Sequence, residues 1–492
     1  MAKPLRGILV SLALVLFTLL VIIAARTIQF RSRQVLTDVA PKIEIDPGAA
    51  QRLAQAIQHR TLSGADGDAA AALEFTRFHE FLQTAFPHVH ATLSQEIVAG
   101  HSLLYTWQGL NPDLKPLLLM GHMDVVPVEF DSEKKWSHPP FAGRIVDGYI
   151  WGRGAMDDKV NVLGVLEAVE HLLAQGFRPQ RTAFLAFGHD EEIGGQMGAA
   201  KIAALLGGRK VDLEFVLDEG SAITHGIIPG IDSPVAMIGI GEKGYLSLEL
   251  TVSTSGGHSS ISAGASAIGI LSQAIHKIER ERFPRRMNGA VREFFDFVGP
   301  EMTWPKKVLL ANLWLFEPLL RQQLGKSPLT DAMISTTQAA TVFRAGTKEN
   351  VLPTQALAVI NFRLISGDAI ETVTSRVRQV IDDPRVKIKQ LPIWAEPSPL
   401  SPSDAESFKL VQRTIHQIAP ETIVAPFLTI AATDARHYTK LTKNIYRFTP
   451  ITVGKDDISR FHGIDERISE EDYMRCVRFY VQLLRNANAD RR

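Results

Sequence analysis

Three short clusters of His, Asp and Glu stand out, two of them directly after an apolar run. Gly121-His122-Met123-Asp124 follows the Leu-rich segment 116–120. Residues two apart on an extended chain project to the same side, so the Asp124 carboxylate can hold the His122 ring from behind while the other ring nitrogen meets a metal. A His-x-Asp pair by itself is equally compatible with a structural role. Trp151-Gly152-Arg153-Gly154-Ala155-Met156-Asp157-Asp158-Lys159 opens a helical pattern that stops at Gly176. Acids at a helix start favour the macrodipole whatever their function, but the glycines in front of them mark a tight turn. Gly188-His189-Asp190-Glu191-Glu192-Ile193-Gly194-Gly195 follows segment 182–187. Neighbouring side chains there point in different directions, so one Glu can bind a metal while the other faces a water to be activated. An acidic surface turn is the plainer alternative, and the apolar strand in front argues against it. Asp218, after segment 213–217, and His462, in Arg460-Phe461-His462-Gly463, are each unremarkable alone.

Composition narrows the chemistry. Lys plus Arg equals Asp plus Glu, 53 each, so the global field gives no reason to expect nucleic acid as a partner. Cys476 is the single cysteine. No intrachain disulfide or thiolate cluster can form, and any metal must sit on His, Asp or Glu.

The elements that must position these residues read as α/β. From about residue 47, apolar strands alternate with amphipathic helices, and three of the four clearest strands (116–120, 182–187, 213–217, 235–240) end in acids or His. Open α/β sheets bind ligands at the carboxyl ends of their strands. After Gly244 a half-buried alternation of Leu246, Leu248, Leu250 and Val252 begins a βαββαβ order. Its second helix is expected to start at Asp368 with Glu371 as capping partner. A Pro-interrupted stretch, 281–338, is an insertion that this order does not need. The Pro397, Pro399 and Pro402 cluster reads as a linker, followed by a final helix starting near Ser469. The expected division is a membrane anchor at 1–35, a catalytic domain at 36–242 and 398–492, and an interrupting α+β, ferredoxin-like lid at 243–397. The large domain should hold a central mixed sheet flanked by helices.

Residues 7–25 carry no charge over 19 positions. At about 1.5 Å per residue such a helix just crosses a hydrocarbon core. Lys3 and Arg6 precede it and Arg26, Arg31 and Arg33 follow it, so charge does not set the topology. An uncleaved anchor is the expectation. A cleaved signal is the alternative, although Ile23-Ala24-Ala25 lacks the small residue three positions before the cut.

Taken together and in this order, GHMD, GRGAMDDK, DEEIGG, LDEG and FHG resemble the di-zinc metallopeptidase family of glutamate carboxypeptidase, aminoacylase and succinyl-diaminopimelate desuccinylase. Length, apolar N-terminus and insertion look most like its Gly-X carboxypeptidase and N-fatty-acyl-amino-acid synthase/hydrolase branches. The resemblance covers roughly 47–484. It implies His122 and Asp218 on one zinc, Glu192 and His462 on the other, Asp157 bridging, Asp124 orienting His122, and Glu191 as general base acting on a bridging water. Cobalt or manganese can replace zinc on such ligands. The implied reaction is hydrolysis of the amide bond of an N-acyl amino acid or short peptide beside a free carboxylate. His258, in Gly256-Gly257-His258-Ser259-Ser260, matches the family's lid histidine at the oxyanion, which in many relatives acts across a homodimer. Asn350 and Arg363 match the carboxylate-binding pair, with Arg436 as a further contact in the cleft. By analogy with anchored relatives, the large domain is expected on the non-cytoplasmic side of the membrane: periplasmic, vacuolar or extracellular. A catalytically silent, anchored binding protein is the rival of another class; such a chain would lack a ligand or the base, whereas all six residues are present.

Overall fold

The apolar runs that precede His122, His189 and Asp218 are buried strands of one sheet in the computed structural model, which describes residues 2–63, 69–129, 131–227, 231–261, 264–287 and 289–489. The chain begins with helix α1 (Ala2–Gln29). Strand β1 (Leu117–His122) pairs in parallel with β2 (Ala183–Gly188) on one side and β3 (Phe215–Asp218) on the other. All three are buried at every position, as expected of continuous apolar strands covered on both faces. Register places His122 opposite Gly188 and Leu119 opposite Leu217, so His122, the Glu191-Glu192 turn and Asp218 leave one edge of the sheet. Ser102–Trp107 runs antiparallel to β2, and β4 (Val235–Glu242) accepts Ile423–Thr429 in parallel. The sheet is therefore mixed, with ten strands among the described residues.

Helix α2 (Lys159–Ala174) covers one face and is itself crossed closely by the C-terminal helix. Gly164 makes that approach possible, because a Cβ there would lie 2.9 Å from the Cys476 sulfur.

A second sheet forms as β5 (Gly244–Ser253), helix α3 (Ala267–Arg280), the insertion, β6 (Thr337–Ala345), β7 (Gln355–Leu364), a further helix and β8 (Val386–Gln390). Its strand order is β6-β7-β5-β8, every pair antiparallel. Leu246, Leu248, Leu250 and Val252 all point into a separate core shared with α3.

The insertion is more helical than its prolines suggest, with α4 (Gly289–Val298), α5 (Trp304–Ala311) and α6 (Leu313–Leu324). Its helices α4 to α6 join the core of the large sheet rather than that of the small one. Phe294 of α4 meets Phe427 of the large sheet with ring centroids 6.0 Å apart. Asn312 Nδ2, between α5 and α6, donates to the Ile23 carbonyl at 3.3 Å and Thr27 Oγ1 at 3.2 Å, seating the last turn of α1.

The helix after β7, α7 (Ile370–Ile381), does not use the expected cap. The Ala369 N–H donates to Thr372 Oγ1 at 3.1 Å, and the Asp368 carboxylate instead accepts from Arg286 at 2.7 Å. The ion pair with Arg286 takes that carboxylate in place of the local turn. The final helix, α8 (Glu470–Asn488), starts as expected, with Ser469 Oγ accepting the Asp472 N–H at 3.0 Å, a cap contributing about 1 kcal/mol.

Candidate active site

The loops leaving β1 and β2, the turn before α2 and the segment before α8 converge at one edge of the large sheet. His122 Nε2 lies 2.9 Å from Asp157 Oδ1; the other Asp157 oxygen lies 3.1 Å from His462 Nε2, which is also 3.1 Å from Glu192 Oε2. Ligand atoms of His122, Asp157 and Glu192 all fall within 4.8 Å of one another. Asp218 is buried beside this ring, its two oxygens accepting the Glu219 N–H at 2.9 Å and the Ala435 N–H at 2.8 Å. No direct bond joins it to the other four among the described residues.

The supporting shell explains how so many charges stay in place. The His122 ring is held from behind by Asp124, as the spacing implied, but the near partner is the Asp124 main-chain carbonyl at 2.9 Å. The Asp124 carboxylate stands 3.4 Å from that nitrogen and chiefly accepts the N–H groups of Glu191 and Glu192, at 3.1 and 3.2 Å. It therefore fixes both glutamates as well as the histidine. Asp158 accepts the His122 N–H at 3.1 Å and Asn161 Nδ2 at 2.6 Å.

Glu466 is a positioning residue that sequence reasoning missed. Its carboxylate collects the N–H groups of Gly154, Met156 and Asp157 at 3.0, 2.8 and 3.2 Å, and pairs with Arg153 at 2.5 Å. Arg153 in turn donates to the carbonyls of His462 and Gly463 at 3.1 and 3.0 Å. These bonds hold His462 in the left-handed backbone region at φ 59°, which a non-glycine residue adopts only when its surroundings enforce it. The only signal was an acid four residues beyond His462.

The arrangement fits metal cations on three observations. The donors are imidazole and carboxylate, suited to zinc. Glu192 Oε1 is buried without a hydrogen-bond partner. Buried acids also outnumber buried bases here: burial pushes Glu191 well above the ordinary carboxylate range and Asp218 up to about 6. The buried Arg447 beside them is engaged by Glu242 at 3.2 Å. Such an excess of buried negative charge requires compensation.

Asp157 behaves differently. Burial pushes its carboxyl up, yet the hydrogen bonds from His122 and His462 outweigh this and leave it below the usual range. In protein stripped of metal by a chelator, the bonds to Asp157 and Glu192 lift His462 from 6.5 to about 10. Because the folded pKa exceeds the unfolded one, this proton's contribution to stability is full below about pH 6.5 and is lost as pH rises through about 10. A metal must displace it, so zinc affinity is expected to strengthen with pH across that window. Competition against a chelator at about pH 6.5 and about pH 9 reads the change, and a pH-independent affinity would contradict this arrangement.

Asp157, Glu191, Glu192 and His462 open onto a cavity of about 1820 Å³ whose far walls come from the small sheet and the insertion. Arg363, on β7, and Arg436 both line it. The Arg363 guanidinium stacks over Tyr245 at 4.5 Å, and burial together with the nearby Arg436 charge lowers its pKa. Arg436 donates to the Gly194 carbonyl at 2.8 Å. His258 and Asn350 are not on this cavity. They sit together on a two-stranded ribbon pairing Gly257–His258 with Val351–Leu352, where the Ser259 N–H donates to the Asn350 carbonyl at 3.1 Å and His258 Nδ1 meets Ser260 Oγ at 2.7 Å.

Fold and site together define a hydrolase of the metal-dependent exopeptidase type. Residues 118–486 match Peptidase family M20/M25/M40, and the chain belongs to that family. It is 45% identical to the probable carboxypeptidase S-like 2 of Dictyostelium discoideum, over 96% of this chain and 92% of that one. To an N-fatty-acyl-amino acid synthase/hydrolase of Xenopus tropicalis it is 39% identical, over 100% and 95%. The fold matches an M20 family metallo-carboxypeptidase of Sulfolobus solfataricus with a TM-score of 0.65 at 19% identity, over 90% of this chain and all of that one.

Proposed function

We propose that this enzyme hydrolyses the amide bond of an N-acyl amino acid or short peptide beside a free carboxylate, in the cavity between the large sheet and a lid formed by 243–397. One observation carries the reading: two arginines that can hold a carboxylate line the same cavity as the His and acid ring. A planar guanidinium meets a carboxylate with two parallel bonds. Arg363→Lys, which keeps the charge and loses the fork, is expected to raise KM about tenfold, about 1.4 kcal/mol, with kcat nearly unchanged. A steady-state series settles it, and an unaltered KM would move carboxylate binding elsewhere.

His122 and Asp218 would hold one zinc, Glu192 and His462 a second, with Asp157 shared. Bound zinc supplies polarisation of the attacking water and of the amide carbonyl. Glu191 takes the proton from that water and returns it to the departing nitrogen. His258, outside the cavity of its own chain, fits a role at the oxyanion of a partner copy in a homodimer, with Asn350 beside it.

The size and lining of the cavity favour the longer acyl group of the two branches. Small-ligand sites usually span roughly 300–1,000 Å³, and the arm toward the insertion carries Phe294, Leu309, Leu310, Leu320, Leu324 and Met333. The Gly-X carboxypeptidase reading keeps the same chemistry with a dipeptide. A rate comparison of dipeptides with long-chain N-acyl amino acids tests the choice: higher kcat/KM for the long chains is expected, and the reverse order selects the dipeptidase. Helix α1 is long and apolar enough, over Gly7–Gln29, to cross a membrane, and we assign it as an anchor with the large domain on the non-cytoplasmic side; a secreted form after signal cleavage is its alternative.

A further inference from the structure

The insertion presents two opposite faces. On α6, Leu320 and Leu324 turn inward to line the cavity, whereas Trp314, Leu315 and Leu319 face outward at 50%, 39% and 56% exposure. Trp304, at the start of α5, is 67% exposed. This apolar patch is not isolated. Asn312, between the two helices, binds the last turn of α1 through Ile23 and Thr27, and Phe30 packs so closely on Gly299 that a Cβ there would lie 2.6 Å from its ring. Where a span emerges from hydrocarbon, tryptophans and basic side chains gather at headgroup level. Exposed Arg26 lies on that same turn.

We propose that α5 and α6 form a second membrane-contacting surface beside the anchor, dipping Trp304, Trp314, Leu315 and Leu319 into the leaflet from which α1 emerges. The occupant of this face is a phospholipid leaflet, because the helices that carry it hold the span itself. The same two helices wall the cavity, so a substrate's acyl chain would pass from that leaflet between them to the acids at the inner end. This rests on the reading of α1 as an anchor.

The test uses the full chain in nanodiscs, with and without bromine on the lipid acyl chains. Two of the six tryptophans would be quenched, so emission is expected to fall by about a third in brominated discs, and W304F/W314F should abolish that fall. Wild-type emission unchanged by bromine, with protein still floating with the discs, overturns the surface and spares the anchor; protein that does not float with the discs overturns both. A W304E/W314E/L319E variant adds a second readout: hydrolysis of a vesicle-borne long-chain acyl amino acid should fall at least tenfold, with a water-soluble short-chain one unchanged. Equal loss on both substrates would count against loading from the leaflet.

Discussion

Glu191→Gln is expected to lower kcat/KM by about 10²–10⁴-fold, the usual span for a general base, with bound metal unchanged. The carboxyl lies on the cavity wall, and the Asp124 carboxylate fixes its backbone. Burial, together with the neighbouring carboxylates of Asp434, Glu192 and Asp124, raises its pKa well above the ordinary range, and bound dications would pull it back down. Those opposing effects suit a group that must both accept and return a proton near neutrality. Gln keeps the shape and the backbone anchor and removes only the proton chemistry. Measuring metal content on the same sample separates the roles: lost metal would make Glu191 a ligand, and an unchanged rate would remove it from the reaction.

Asp157→Ala should be comparably damaging for a different reason. Asp157 places one oxygen against His122 and the other against His462, at 2.9 and 3.1 Å, so it ties the two halves of the ring together. Without it the histidines lose their shared partner, and on the proposed two-metal arrangement both positions would weaken. A loss of several kcal/mol of transition-state stabilisation, on the order of 10³-fold in rate, is expected. Metal per chain should fall together with activity, and circular dichroism should report an intact fold. Retention of full metal would show that Asp157 is not shared between the two positions.

Much of this centre could be read from residue order. His122 and Asp218 end buried strands and Glu191 and Glu192 follow one, and a run such as Leu117–His122 announces both its burial and its end. The small sheet's alternation was equally plain, because a sheet with one covered face writes a period of two into its sequence. Long-range partners were not legible. Glu466 lies more than 300 residues from the turn it organises, and a lone acid carries no signature of three distant N–H groups. The insertion was legible only as a Pro-interrupted stretch, and nothing in its residue order said that the large sheet and α1 would take part of its apolar surface. Asp124 shows a subtler limit: the spacing put it behind His122, whereas the choice between its carbonyl and its carboxylate depends on where the Glu191 and Glu192 N–H groups point. His258 and Asn350 are shown together on one ribbon, off the cavity of their own chain.

The most direct test of the whole account is a zinc titration of chelator-treated protein, following hydrolysis of an N-acyl amino acid as metal is returned. Activity should be absent at the start, recover in proportion to added zinc and level off at about two equivalents per chain. Full activity in the metal-free protein would contradict it.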